Sequence, residues 1–590
     1  MWTRRGAGLL VVLVAVAVLS PTLVFRTVQY DDHWLWSDSS PLRQLDAATL
    51  HDVFFELDRK VRRPLGGEYL PVRDVVVAVD MAIWGELEQG PHVTQLLLFA
   101  LTVWGLGTLL IRFGLRREIA WVGTLLWAIH PIHVESVAWL SERKGVLAGL
   151  FVIACGHAWV RYRQDRSWAW LVLAALCAVA GVWSKAPAMF APAAFAAWDL
   201  LLLPRTRRRW IAIVVVGGVA ALAAVPVVLV AREARVIEDG GRAYPAGRAA
   251  SVVGAHGHYA QSLALAKRPT ISYPIQTHGP SPLDLALGAL VLAGSLALCV
   301  HARRRPSDAT AWQLALLAWA WIWFVPIGHV LVRVHILVAD RFAYLWSVAG
   351  CVAVAWLLER VPGRLRVAAT GTIVCVLGIA TLRAQEPWTA STPLFTRAIE
   401  TNPDDAAACE NLALALGAEG RIPRAFDVID RCLETRPDHS YLWQRKAVML
   451  WAIGRRAEAL EASRRSTATG FSSASALYAQ HLHALGRAAE AVPWAERAVQ
   501  RRPENAGYAR TLAEILVTVG RYRDAETIVR RLMAETTDPP FAFDHLLLAT
   551  VLVATGRGAE AAPHLELAAH HPMFAAKVAA LRARIAPEVP

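Results

Sequence analysis

The sequence predicts an all-α protein in two regimes, a polytopic bundle of membrane-spanning helices followed by an α-solenoid. Three observations predict it. Apolar runs recur from Gly6 to about Leu382, separated by short basic loops. From about Trp388 the chain turns polar and rich in Ala, Arg and Glu. Within that second part a short Gly-Arg string returns in phase. The boundary gives a membrane domain at 1–387 and a repeat domain at 388–590. Charged residues make up 18% of the chain, against about 25% in a soluble domain. That deficit is expected where much of the chain meets lipid.

A crossing helix needs ~20 mostly apolar residues. Eleven segments qualify, at 6–25, 92–113, 119–138, 144–160, 168–185, 187–203, 210–231, 282–301, 311–327, 341–358 and 366–382. The first run is longer than the ~7–15 residues of a signal-peptide core and lacks an A-x-A site, so it is read as a retained helix. A further stretch, "ASVVGAHGHYAQSLALA" at 250–266, carries two histidines and a glutamine. These are costly in lipid, so it is read as re-entrant or interfacial.

Orientation follows from the basic loops. With "MWTRR" in the cytoplasm, eleven spans put Arg112/Arg116/Arg117, Arg161/Arg163/Arg166, Arg205/Arg207/Arg208/Arg209, Arg303/Arg304/Arg305 and Arg360/Arg364/Arg366 all inside. A crossing at 250–266 would move the last two clusters outside. The net charge of +13 thus sits largely at span ends, where it sets direction and does not indicate a nucleic-acid partner. Two long loops, 26–91 and 232–281, and the whole of 388–590 are expected outside the cytoplasm.

In the polar part, "AEGRIPRA", "AIGRRAEA", "ALGRAAEA", "TVGRYRDA" and "ATGRGAEA" align on Gly420, Gly454, Gly486, Gly520 and Gly556, spaced 34, 32, 34 and 36 residues apart. That period, with a turn glycine and a small alanine five residues on, is the tetratricopeptide pattern of about five helix–turn–helix repeats. Its concave face would bind a protein or peptide partner. The seven cysteines, Cys155, Cys177, Cys299, Cys351, Cys375, Cys409 and Cys432, contain no CxxC. All are read as small hydrophobes, with no zinc site and no disulfide implied.

The polar groups of the membrane part gather on one side. Asp31 and Asp32 open the first loop in "FRTVQYDDHWLW", and "KVRRPLGGEYLP" adds Arg62, Arg63 and Glu68. "WAIHPIHVESVAWLSERKG" supplies His130, His133, Glu135, Glu142, Arg143 and Lys144. His130-x-x-His133 invites zinc, but Pro131 disturbs the helix that would align the pair and no third ligand is evident. An anion cluster fits better. Lys185 in "GVWSKAPAMF" reads as a snorkelling lysine or a further cation. "GHVLVRVHILVADRFAYLW" brings Arg333, His335, Asp340 and Arg341. Asp340–Arg341 fits a structural ion pair as well as a functional one. Carboxylates and cations on one face are the parts for chemistry with a phosphate leaving group.

An acid pair after the first span, "RRPL", "HPIHVESVAWLSERKGVLAG", "SKAP", "ADRFAYL" and a tetratricopeptide tail together resemble the transmembrane and tetratricopeptide repeat-containing (TMTC) proteins and their bacterial relatives. These are similar to protein O-mannosyltransferases of the GT-C class. The resemblance covers nearly the whole chain. It implies a GT-C-like multi-pass enzyme of the bacterial inner membrane, with its repeat domain extracytoplasmic. Such an enzyme transfers a sugar, usually mannose, from a polyprenyl-phosphate carrier to Ser or Thr of a protein, with inversion. The carrier-linked sugar is then the donor, and no cofactor or metal is assigned.

The resemblance gives Asp31 or Asp32 the role of base. His130, His133, Arg143, Lys144, Lys185, Arg333 and Arg341 would contact lipid phosphate, with His335 and Asp340 in the same cluster. Glu135 would orient a histidine and Arg63 would brace the loop. The chain departs from its relatives where "SERKDVL" becomes "SERKGVL", "ADRYTYLP" becomes "ADRFAYLW" and "SKPM" becomes "SKAP". These changes bear on substrate choice. Two rivals stand beside the enzyme. A membrane-anchored scaffold would need only one span. A lipid-linked glycan transporter would place charges through the midplane helices.

Overall fold

The computed structural model describes residues 6–36, 40–233, 246–331, 336–535 and 542–585. Among the described residues the chain is all helical, with no strand. It divides into two units, Met1–Ala415 and Leu416–Pro590. The division falls later than the composition change near Trp388, and packing explains why. The amphipathic helix Ser391–Thr401 buries Leu394, Phe395 and Ala398. The Gln29 N–H donates to Ser391 Oγ (2.8 Å), and Phe395 lies edge-on to Tyr30 at 6.2 Å. The first polar helix therefore belongs to the membrane unit, against the opening of the first loop.

In the first unit seven helices are long and apolar enough to cross a membrane, Gly6–Val24, Gly90–Arg112, Leu140–Asp165, Arg207–Glu233, Pro282–Arg304, Asp308–Ile327 and Gly363–Thr389. They are the helices of a multi-pass membrane protein. Leu97, Leu222, Leu290, Leu296 and Val367 stay exposed on them, a surface that lipid satisfies and water does not. The other four expected spans are shorter helices, Arg117–Ala128, Trp168–Val182, Ala191–Leu202 and Val348–Leu358. Proline accounts for the shortening at two places. His130 precedes Pro131 and is extended (φ −77°, ψ 133°), which closes the 119–138 run. Lys185, two residues before Pro187, is also extended (φ −159°, ψ 128°).

Tryptophans fill the interior of this unit. Trp127, Trp159, Trp198 and Trp319 are fully buried. Their indole N–H groups donate to Tyr344 O (2.8 Å), Asp199 Oδ2 (2.9 Å), Ala315 O (2.9 Å) and Leu345 O (2.7 Å). Each bond offsets the ~1–3 kcal/mol that an unmet buried donor costs. In the second long loop, 250–266 lies within the helix Arg248–Leu265, packed on Pro282–Arg304. Their close crossing depends on Gly257, where a Cβ would stand 1.8 Å from Asp284 O.

The second unit is a run of antiparallel helix pairs. Gly454, Gly486, Gly520 and Gly556 turn the chain with φ between 76° and 81°. Ala459, Ala491, Ala525 and Ala561 are buried where paired helices close. One expectation needs correction. Cys409 and Cys432 are both disulfide-bonded, whereas the other five cysteines are free thiols. Neither composition nor a CxxC search reveals this state.

Candidate functional site

The first loop is folded rather than open. Its organiser is Arg62, buried against Tyr69 (4.8 Å to the ring centre). Arg62 donates to the carbonyls of Glu56, Asp52 and Val53, which fixes the end of the helix Ala47–Phe55. The bracing expected of Arg63 is done by this neighbour, and Arg63 itself is exposed.

The acid pair splits. Asp32 is buried. Its Oδ1 accepts from the Ser141 N–H (2.9 Å) and Ser141 Oγ (2.6 Å), and its Oδ2 from the Val28 N–H (3.0 Å). Burial pushes the Asp32 carboxyl up to about 6 against those three donors. Asp31 is exposed at the N-cap of the short helix Asp32–Leu35. Its charge reaches the hydroxyl of Tyr30, as do those of Arg341 and Glu135; burial pushes that phenol up to about 12.

Behind Tyr30 lies a chain of alternating charges. Tyr30 packs on Trp139 at 4.8 Å, and the Arg341 guanidinium lies 5.2 Å from the Trp139 ring centre. Glu135 pairs with that guanidinium and also accepts the Arg341 backbone N–H (2.8 Å). Glu142 pairs with Lys185 through Oε1, while its Oε2 stands 3.9 Å from Arg341 Nε and has no hydrogen-bond partner. Lys144 pairs with Glu68 (2.8 Å), which also holds Arg73 (2.9 Å). Burial alone would raise Glu68, but Lys144 and Arg73 outweigh it and hold the carboxyl at about 2. Lys144 and Lys185 each keep 18% of the side chain exposed. Asp340 is buried and accepts from Tyr273 Oη. Burial, then the charge of Glu135, push it up to about 8, so it is largely protonated at neutral pH.

Other nominated residues are turned inward. His130 Nε2 meets Leu263 O (2.9 Å) and its Nδ1 accepts from the Ile132 N–H (3.2 Å). His133 sits between Trp127 (4.9 Å) and Tyr344 (5.4 Å), with Nε2 at 3.3 Å from Ser347 Oγ. Arg143 is fully buried and pairs with Asp80, with Gln95 Oε1 at 3.2 Å. These three lock helices together and present no face to a ligand. Arg333 and His335 lie outside the described residues. Arg73, Asp80 and Tyr273 are the members that sequence reasoning missed. Asp80, an acid inside "VVVAVDMAIW", was the one with a visible signal.

Residues 482–542 match the tetratricopeptide repeat family model. The C-terminal unit is a tetratricopeptide solenoid. No curated protein matches the chain in sequence. Among solved structures it is similar to YrrB, a tetratricopeptide protein with an unusual peptide-binding site, at 20% identity, covering 30% of this chain and 90% of that one, with a TM-score of 0.27. It is similar to the Archaeoglobus fulgidus oligosaccharyltransferase tethered to an acceptor peptide with the NVT sequon, at 16% identity and TM-score 0.37, covering 70% of this chain. The chain spans 59% of the length of that enzyme. Yeast Tom70 is similar at 9% identity and TM-score 0.27, over 81% of this chain and 94% of that one. Likenesses this distant carry no weight for activity, and the site stands on its own residues.

Proposed function

We propose that the protein is a GT-C-type membrane glycosyltransferase, moving a sugar from a polyprenyl-phosphate carrier to an extracytoplasmic acceptor. Mannose and a Ser or Thr hydroxyl of a protein are the substrates implied by the resemblance. One observation carries the reading. An exposed carboxylate, Asp31, stands at the rim of a charged chain whose cations Lys144 and Lys185 remain part exposed. Asp31 takes the proton of the acceptor hydroxyl. The acceptor oxygen bonds to the anomeric carbon, the carbon–oxygen bond to the carrier phosphate breaks, and the configuration inverts. Lys144, Lys185 and Arg341 meet the charge that develops on the leaving phosphate. Asp32 holds the loop and takes no part in proton transfer. The disulfide state of Cys409 and Cys432 supports an oxidising compartment for the repeats, which would recruit a protein or peptide.

The test incubates purified protein with labelled polyprenyl-phosphate sugars and a periplasmic extract. Asp31→Asn should lower turnover by about 10²–10⁴-fold with the melting temperature unchanged. Retained turnover removes Asp31 from the mechanism. A second reading rests on a different observation. Arg143, Lys144, Lys185 and Arg341 each already sit on a carboxylate, which suits a non-catalytic membrane scaffold for the repeats. That reading expects no labelled fraction from the wild-type protein.

A further inference from the structure

At the other end of the helix Val348–Leu358 from Asp340, the membrane unit contains a cavity of about 320 Å³ between Pro282–Arg304, Asp308–Ile327 and Val348–Leu358. Its walls differ along their length. Leu316, Leu317, Ala320, Ala349 and Ala353 make an apolar slot. Gln313, Trp356 and Arg360 line the end that meets the basic loops. From Gln313 to Ala320 the slot runs about 10 Å along the helix axis at 1.5 Å per residue. The polar end is also where Pro282–Arg304 finishes on Arg303 and Arg304. Tryptophan and arginine gathered at helix ends mark the headgroup level of a bilayer.

Arg360 calls for a particular occupant, since it is exposed at the mouth and offers charge to a phosphate. A zwitterionic choline head carries no net charge. We infer that the cavity binds an anionic phospholipid of the phosphatidylglycerol class, with its phosphate on Arg360 and one acyl chain in the slot. Basic pockets between membrane helices commonly hold such heads. The site lies away from Asp31 and Asp340, and does not depend on the proposed transferase reaction.

Native mass spectrometry of the full chain, purified from vesicles of phosphatidylglycerol and phosphatidylcholine with matched chains, tests this directly. The wild-type protein should retain phosphatidylglycerol preferentially. Arg360→Gln should lower that preference about fivefold, the effect of one cation near the membrane surface, and Ala353→Phe should abolish retention by filling the slot. Arg364→Gln, on an exposed arginine outside the cavity, should change nothing. Should Ala353→Phe fail to fold, Arg360→Gln at its exposed position still decides. Equal retention of both lipids by the wild type, or an Arg360→Gln variant as selective as wild type, overturns the site and leaves bulk surrounding lipid only.

Discussion

At the scale of single residues, two adjacent aspartates end in opposite environments. Asp32 accepts three hydrogen bonds in the interior, while Asp31 faces outward. Asp32→Asn turns an amide N–H₂ toward N–H and O–H donors and should destabilise the protein by roughly 1–3 kcal/mol. Asp31→Asn should not, and thermal unfolding of the two variants separates them. Asp340 makes a pH prediction. Its folded carboxyl stands at about 8 against an ordinary 3.8, so between those values the folded protein holds a proton that the unfolded chain has lost. Its contribution to stability is therefore whole below about 4 and is lost as pH rises toward about 8. Asp340→Asn mimics the neutral acid and should flatten the fall in melting temperature across that window. The same slope in both proteins would show that Asp340 ionises normally.

At the scale of elements, the site depends on close approach. A Cβ on Gly145 would stand 2.3 Å from Glu142 Oε1 and 3.3 Å from Lys185 Nζ. Gly145 is thus the notch that seats this ion pair. Gly145→Ala should push Glu142 off Lys185 and destabilise by about 1–3 kcal/mol, the cost of a buried polar group left unmet. In the solenoid, Gly486 has φ 76°, and Gly486→Ala should cost about 1 kcal/mol, read as a lower denaturant midpoint. These two glycines also mark what the sequence could reveal. Gly486 was legible because its signal is local and returns every repeat. The role of Gly145 was not, because Glu142 meets Lys185 across 43 residues of chain and Glu135 meets Arg341 across 206. Several segments read as spans form shorter helices for a related reason. Hydropathy counts apolar residues, while His130–Pro131 breaks the backbone.

At the scale of the whole molecule, the transferase reading depends on sidedness. Within the first unit, Gln29 binds Ser391, Ser272 binds Asp405 and His278 pairs with Asp404 at 2.9 Å. These links put the start of the polar region on the same side as the first and second long loops. The basic-loop parity of the sequence, counting all eleven apolar segments as crossings, expects the same arrangement. Which compartment that side faces is a matter of redox chemistry. Disulfides persist in the periplasm and are reduced in a cytosol, and Cys409 and Cys432 are both disulfide-bonded. Cells alkylated with a lipid-permeable maleimide before lysis should yield protein unlabelled at both positions until it is reduced. Cys299 and Cys375, free thiols within membrane-crossing helices, should label once detergent opens them to water and report that the reagent is active. If Cys409 and Cys432 instead label before lysis, the thiols live in a reducing compartment. Asp31 would then face the cytosol with the rest of that side, and a carrier-linked sugar presented outside could not reach it.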